Sequence, residues 1–95
     1  MKNYYVYILS SKRNGTLYTG VTSNLVKKVY EHRNELVEGF TKQYRVYNLI
    51  WYEMHESAES AINREKQIKK WKRDWKLKLI EKENHNWTDR YEHNM

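Results

Sequence analysis

Hydrophobic and polar positions alternate at the start of the chain. Between Tyr4 and Leu9 one face carries Tyr5, Tyr7 and Leu9 and the other Tyr4, Val6 and Ile8, the period of two that belongs to a strand. A second run follows a polar turn that ends in Asn14-Gly15, a dipeptide that takes the positive φ of a hairpin turn readily. The spacing predicts a hairpin in which Tyr18 and Gly20 share a side of the second strand. A face with Tyr7, Tyr18 and a glycine sets two phenols beside open backbone. The same pattern also suits an ordinary aromatic core face, since tyrosine is a common strand residue.

The period then changes. Thr22-Ser23-Asn24 is a helix-capping cluster, and Leu25, Val26, Val29, Tyr30, Leu36 and Val37 fall on one stripe of a helix from about Leu25 to Val37. Lys28 and His32, four apart, sit on one edge of that stripe. Residues 39–44 read as a polar connection. A third strand is expected from about Arg45 to Met54, with Val46, Ile50 and Tyr52 on one face and Tyr47, Leu49 and Trp51 on the other. Apolar residues on both sides suit a strand covered on two faces.

Ser57 caps a second helix from about Ala58 to Lys72, with Ala58, Ala61, Ile62 and Ile68 on the buried arc. Glu65 falls in the middle of that arc. A buried carboxylate costs several kcal/mol unless a cation or dense hydrogen bonding compensates it. Glu65 is therefore half of a structural ion pair or a metal ligand facing the sheet. The amphipathic run continues through Trp71, Trp75, Leu77, Leu79 and Ile80 as a third helix after a bend near Arg73-Asp74. The pattern places a domain in residues 1–83 and a polar tail in 84–95, with Trp87 and Tyr91 as anchors.

Composition narrows the chemistry. The 95 residues contain no cysteine, which excludes disulfides, thiolate metal sites and cysteine nucleophiles. Nine tyrosines and four tryptophans let a core form in a chain that is polar on average. No run is long enough for a membrane span, and the N-terminus leads directly into a strand, so a cytoplasmic location is expected. The formal charge of +6 is concentrated between Arg64 and Lys78, where eight basic residues face two acidic ones. That density is an electrostatic footprint for a phosphate polymer or a helix face made soluble by lysine.

Several stretches, in order, resemble the GIY-YIG endonuclease superfamily, specifically its small stand-alone bacterial members. Tyr5-Val6-Tyr7 is similar to the first signature triplet, with Tyr5 in place of glycine, and Tyr18-Thr19-Gly20 to the second. The eleven-residue step between Tyr7 and Tyr18 has the family spacing. Gly20 to Leu25, Tyr30-Glu31-His32, Gly39-Phe40-Thr41-Lys42, Arg64-Glu65-Lys66-Gln67 and Lys69 to Arg73 continue the likeness over nearly the whole chain.

The resemblance implies an α/β (α+β) fold, a small three-stranded antiparallel sheet flanked by helices in the order ββαβα plus a C-terminal helix. It implies metal-dependent hydrolysis of DNA phosphodiesters with Mg²⁺ or Mn²⁺. Glu65 is then the metal ligand, Tyr7 and Tyr18 the phenols near the scissile phosphate, and His32 a partner in proton removal. Lys69, Lys70, Lys72 and Arg73 are expected to hold the DNA backbone without reading sequence. With no appended recognition domain, a structure- or damage-directed substrate, or a protein partner supplying specificity, is expected.

One position departs from the family. Eight residues after Gly20 the family carries arginine, and this chain has Lys28. Arginine offers phosphate a planar bidentate fork, whereas lysine offers a point charge. The alternative reading is therefore a nucleic-acid-binding module with weak or no catalysis.

Overall fold

The structure is a computed structural model that describes residues 2–91. Met1 and the last four positions of the expected tail lie outside the described residues. Two strands, β1 (Tyr4–Ser10) and β2 (Leu17–Thr22), are followed by helices α1 (Leu25–Arg33) and α2 (Phe40–Tyr44). Strand β3 (Asn48–His55) and helices α3 (Ala58–Lys69) and α4 (Arg73–Glu83) complete the order. The sheet is antiparallel with β1 in the middle, in the order β2-β1-β3. This is the expected α+β architecture with one short helix, α2, added in the segment read as a connection.

The hairpin forms as its residues dictate. Asn14 takes φ 60, and Gly15 donates its N–H to the Lys12 carbonyl at 2.9 Å. A Cβ on Gly15 would lie 2.4 Å from Ser11 Oγ, so this glycine is required by close packing rather than by its own dihedral. The faces sort as the alternation predicts. Val6 and Ile8 face Ala61, Ile68, Ile80 and Trp87, while Tyr7 and Leu9 face Leu25, Val29, Val46 and Leu49. The central strand is thus covered on both sides.

In β3 the strict alternation fails. Ile8 pairs with Trp51 but Leu9 pairs with Leu49, leaving Ile50 as the extra residue of a β-bulge. Ile50 and Trp51 consequently lie on one side, with Leu49 and Tyr52 on the other, instead of the expected Ile50/Tyr52 and Leu49/Trp51 pairs. The strand also starts three residues later than expected. Arg45 adopts φ 55 to close α2, and Val46 donates its N–H to the Thr41 carbonyl at 2.9 Å, so this stretch cannot join the sheet.

Helix α1 ends at Arg33, four residues early. The Asn34 side chain donates to the Tyr30 carbonyl at 2.9 Å, and Glu35 turns to φ 56. The buried seam is Leu25, Val29 and His32, at i, i+4 and i+7, which leaves Val26, Tyr30 and Leu36 exposed rather than on the core stripe. In α3 the corresponding seam is Ala61, Glu65 and Ile68, and Ile62 is exposed. The helix stops at Lys69, with Lys70 and Trp71 in a turn before α4.

Residues 84–91, expected as a tail, are built into the domain. Trp87 is buried in the cluster with Ile50 and Trp51. The buried Asn84 amide donates to the Ile50 carbonyl at 2.9 Å and to the Thr88 carbonyl at 2.8 Å, while its oxygen accepts the Thr88 N–H at 3.0 Å. Asn84 thereby satisfies the carbonyl of the bulge residue. Asp89 accepts the Leu49 N–H at 3.1 Å, and Arg90 donates its N–H to the Leu49 carbonyl at 2.7 Å. Asn84→Ala strands a buried carbonyl and is expected to destabilise the fold by about 2–3 kcal/mol. Urea denaturation measures this, and a change within about 0.5 kcal/mol would show that the bulge does not depend on Asn84.

Candidate active site

Pairing across β1 and β2 puts Tyr7 opposite Gly20 and Leu9 opposite Tyr18, all on the face covered by α1. A Cβ on Gly20 would lie 2.4 Å from Tyr7 Oη and 2.5 Å from its Cζ. The bare backbone of Gly20 is the seat of the Tyr7 phenol. From that seat Tyr7 Oη lies 3.2 Å from His32 Nε2, and His32 Nδ1 lies 2.9 Å from Thr41 Oγ1. Tyr7, His32 and Thr41 form a buried line of polar groups contributed by β1, α1 and α2.

Tyr18 flanks this line. Its ring centroid is 5.6 Å from His32 and 6.3 Å from Tyr7, and its other side stacks on Phe40 at 6.2 Å. Tyr18 is partly exposed, whereas Tyr7 is 2% exposed, so the two phenols are not equivalent. Tyr18 faces outward and Tyr7 stands behind it.

The titrations follow from this arrangement. Burial, with Tyr18, Glu65 and Glu31 nearby, pushes the Tyr7 phenol far above its ordinary value. Burial first and Lys28 second lower His32, against a smaller opposing effect of Glu31. At neutral pH the pair is a protonated phenol beside a neutral imidazole. In that pair the imidazole keeps a nitrogen lone pair within reach of the phenol.

Of the residues singled out in the sequence, Tyr7, Tyr18 and His32 are brought together, and Lys28 lies close enough for its charge to act on His32. Lys28 also pairs with Glu31 at 3.4 Å. Glu65 belongs to α3, which packs on the opposite face of the sheet, yet its charge reaches Tyr7. Its side chain is 12% exposed and pairs with Lys69 Nζ at 2.7 Å. Both sequence readings of Glu65 therefore have a physical basis.

The basic surface is less uniform than the sequence suggests. Lys70 and Lys72 are exposed, but Lys69 is engaged by Glu65. Arg73 donates to the Asn14 and Gly15 carbonyls at 3.0 and 2.7 Å and so ties α4 to the hairpin turn. Lys76 is lowered by burial and then by Arg73 and Lys69, which registers the crowding of positive charge on this side. Arg33 pairs with Asp89 and lies 4.8 Å over the Tyr91 ring, so it docks the C-terminal segment.

Thr41 and Phe40 had no role assigned from the sequence beyond their motif. The only hint was that motif itself, Gly39-Phe40-Thr41-Lys42, placed in what read as a polar connection.

Comparison with known proteins agrees with this architecture. A family model described as the GIY-YIG catalytic domain matches residues 3–78. A UPF0213 protein of Staphylococcus saprophyticus is 38% identical over 80 residues, covering 84% of this chain and 96% of that protein. UPF0213 proteins of Syntrophus aciditrophicus and Clostridium perfringens are 42% and 41% identical, with 92% and 81% of their lengths covered. The solution NMR structure of the UPF0213 protein BH0048 from Bacillus halodurans superposes with a TM-score of 0.58 at 24% identity, over 98% of both chains. That likeness shows the fold.

Proposed function

We propose that this chain, which belongs to the GIY-YIG family, is a metal-dependent DNA endonuclease acting on branched, nicked or damaged structures with little sequence preference. The observation that carries the reading is the buried Tyr7–His32–Thr41 line beside the outward-facing Tyr18, with the Glu65 charge reaching Tyr7.

Among the described residues no group of three or more histidine and carboxylate side chains forms a ready metal cage. The donor present is the single Glu65 carboxylate. It fits Mg²⁺ or Mn²⁺ that keeps most of its waters and shares substrate phosphate oxygens, the ordinary coordination of Mg²⁺. When bound, such an ion neutralises charge on the phosphoryl group and acidifies water. Glu65 would hold it, in competition with Lys69.

The remaining work falls to the protein's own groups. Tyr18 contacts the DNA side of the site. The attacking water loses a proton to Tyr7 Oη as Tyr7 passes its own proton to His32 Nε2. The hydroxide adds to phosphorus, the bond from phosphorus to one bridging ester oxygen breaks, and that oxygen leaves as the hydroxyl of a strand end on taking a proton from solvent. Neutral His32 is the resting place for that proton, which its lowered pKa keeps available at pH 7. Lys28 adds positive charge beside the phosphate, and exposed Lys70 and Lys72 hold the backbone.

The Lys28–Glu31 pair favours the second reading, a binding module with weak cleavage, because it takes up part of the lysine charge. Lys28→Arg separates the two. On supercoiled, single-stranded and branched DNA, the arginine variant is expected to cleave about tenfold faster, the effect of one added charge-assisted hydrogen bond. DNA bound by both proteins and cut by neither would make the chain a binding module.

A further inference from the structure

We infer that Thr41 is a positioning residue whose hydroxyl holds His32 in the tautomer protonated at Nδ1, leaving Nε2 bare to accept the Tyr7 proton. The inference rests on the reading of Tyr7 and His32 as the proton-accepting pair. Its physical basis is separate.

His32 and Thr41 are 2% and 3% exposed, so both ring nitrogens must find their partners inside the protein. One partner is Tyr7 Oη at 3.2 Å and the other Thr41 Oγ1 at 2.9 Å. The two partners differ chemically. Tyr7 is a phenol 2% exposed, and a phenol shut away from water carries its proton at neutral pH. A buried phenol that keeps its proton must donate it, and Nε2 is in reach. Nδ1 must then carry the ring hydrogen and donate it to Thr41 Oγ1. In the opposite tautomer, Nε2–H would meet a phenol that still carries its own proton, and that proton would need a second acceptor.

Thr41 is held well enough to set this choice. Helix α2 has five residues, too few to persist by local hydrogen bonding. It is pinned through Thr41, whose carbonyl accepts the N–H groups of Arg45 and Val46. The same residue thus closes the helix with its backbone and orients His32 with its side chain. The other groups facing the imidazole are Lys28 and Glu31 from α1 and the Tyr18 ring from β2.

The test is side-chain nitrogen NMR on the ¹⁵N-labelled full chain, wild type beside Thr41→Ser and Thr41→Val, with cleavage measured in parallel. Wild type and Thr41→Ser are expected to show Nδ1 protonated and Nε2 bare. Thr41→Val should shift population to the Nε2-protonated form and slow cleavage about ten- to hundredfold, with Thr41→Ser near wild type. A wild-type His32 protonated at Nε2, or a valine variant with the wild-type tautomer, overturns the inference. The wild-type and serine spectra decide the matter even if the valine variant does not fold. A bare Nε2 in a protein that cuts no DNA would overturn the nuclease reading and leave the tautomer assignment standing.

Discussion

Glu65→Gln is expected to lower DNA cleavage about a thousandfold while leaving folding and DNA binding close to wild type. The size follows from the loss of a metal ligand worth several kcal/mol in the transition state, with about 1.4 kcal/mol for each factor of ten. The selectivity follows from where Glu65 sits. Glutamine keeps the volume on the Ala61–Glu65–Ile68 seam, and the lost Lys69 partner is half exposed, so the ion pair contributes at most about 1 kcal/mol. Binding through Lys70 and Lys72 is untouched, and Lys69 is released to add to it. Cleavage, fluorescence-anisotropy binding and urea denaturation on the same preparation check all three parts. A variant that unfolds, or one that cuts normally, would make Glu65 the structural half of an ion pair.

Gly20→Ala is expected to cost about a hundredfold in cleavage through a single methyl group. The added Cβ falls 2.4 Å from Tyr7 Oη and 2.5 Å from Cζ, far inside contact distance. The Tyr7 ring is buried and rigid, so it has no free rotor with which to yield. Its hydroxyl must leave His32, breaking the 3.2 Å contact on which proton removal depends. Loss of a positioned base removes about two orders of magnitude or more. Overpacking of this kind also destabilises a domain by about 1–3 kcal/mol. Cleavage rate and urea midpoint read the two effects, and a Gly20→Ala protein as active as wild type would show that Tyr7 does not act from its seat on the glycine.

Much of this arrangement was legible in the residues. The alternation in β1 sorted Tyr7 from Val6 correctly, and the Tyr7-to-Gly20 interval put both phenols and the glycine on one face. Glu65 was conspicuous because a carboxylate on a buried helical seam needs a compensating cation, whether a structural partner or a metal. His32 was less so. It read as an edge residue because the expected stripe included Val26 and Tyr30, whereas the buried seam runs through Leu25, Val29 and His32 and leaves those two outward.

What stayed hidden depends on contacts between distant parts of the chain. The bulge at Ile50 reverses the faces of β3 without any local marker, since its freed carbonyl is satisfied by Asn84, 34 positions away. Helix α2 is too short to announce itself by periodicity and exists through the bonds of Thr41. Charge density could not show that Lys69 answers to Glu65 or that Arg73 grips the hairpin turn.

The central claim is tested most directly by incubating the wild-type chain with supercoiled plasmid in Mg²⁺ and, in parallel, in excess chelator. The account predicts conversion of supercoiled to nicked DNA that requires the metal. Plasmid that is bound but stays supercoiled in both conditions, or nicking that persists in chelator, would contradict it.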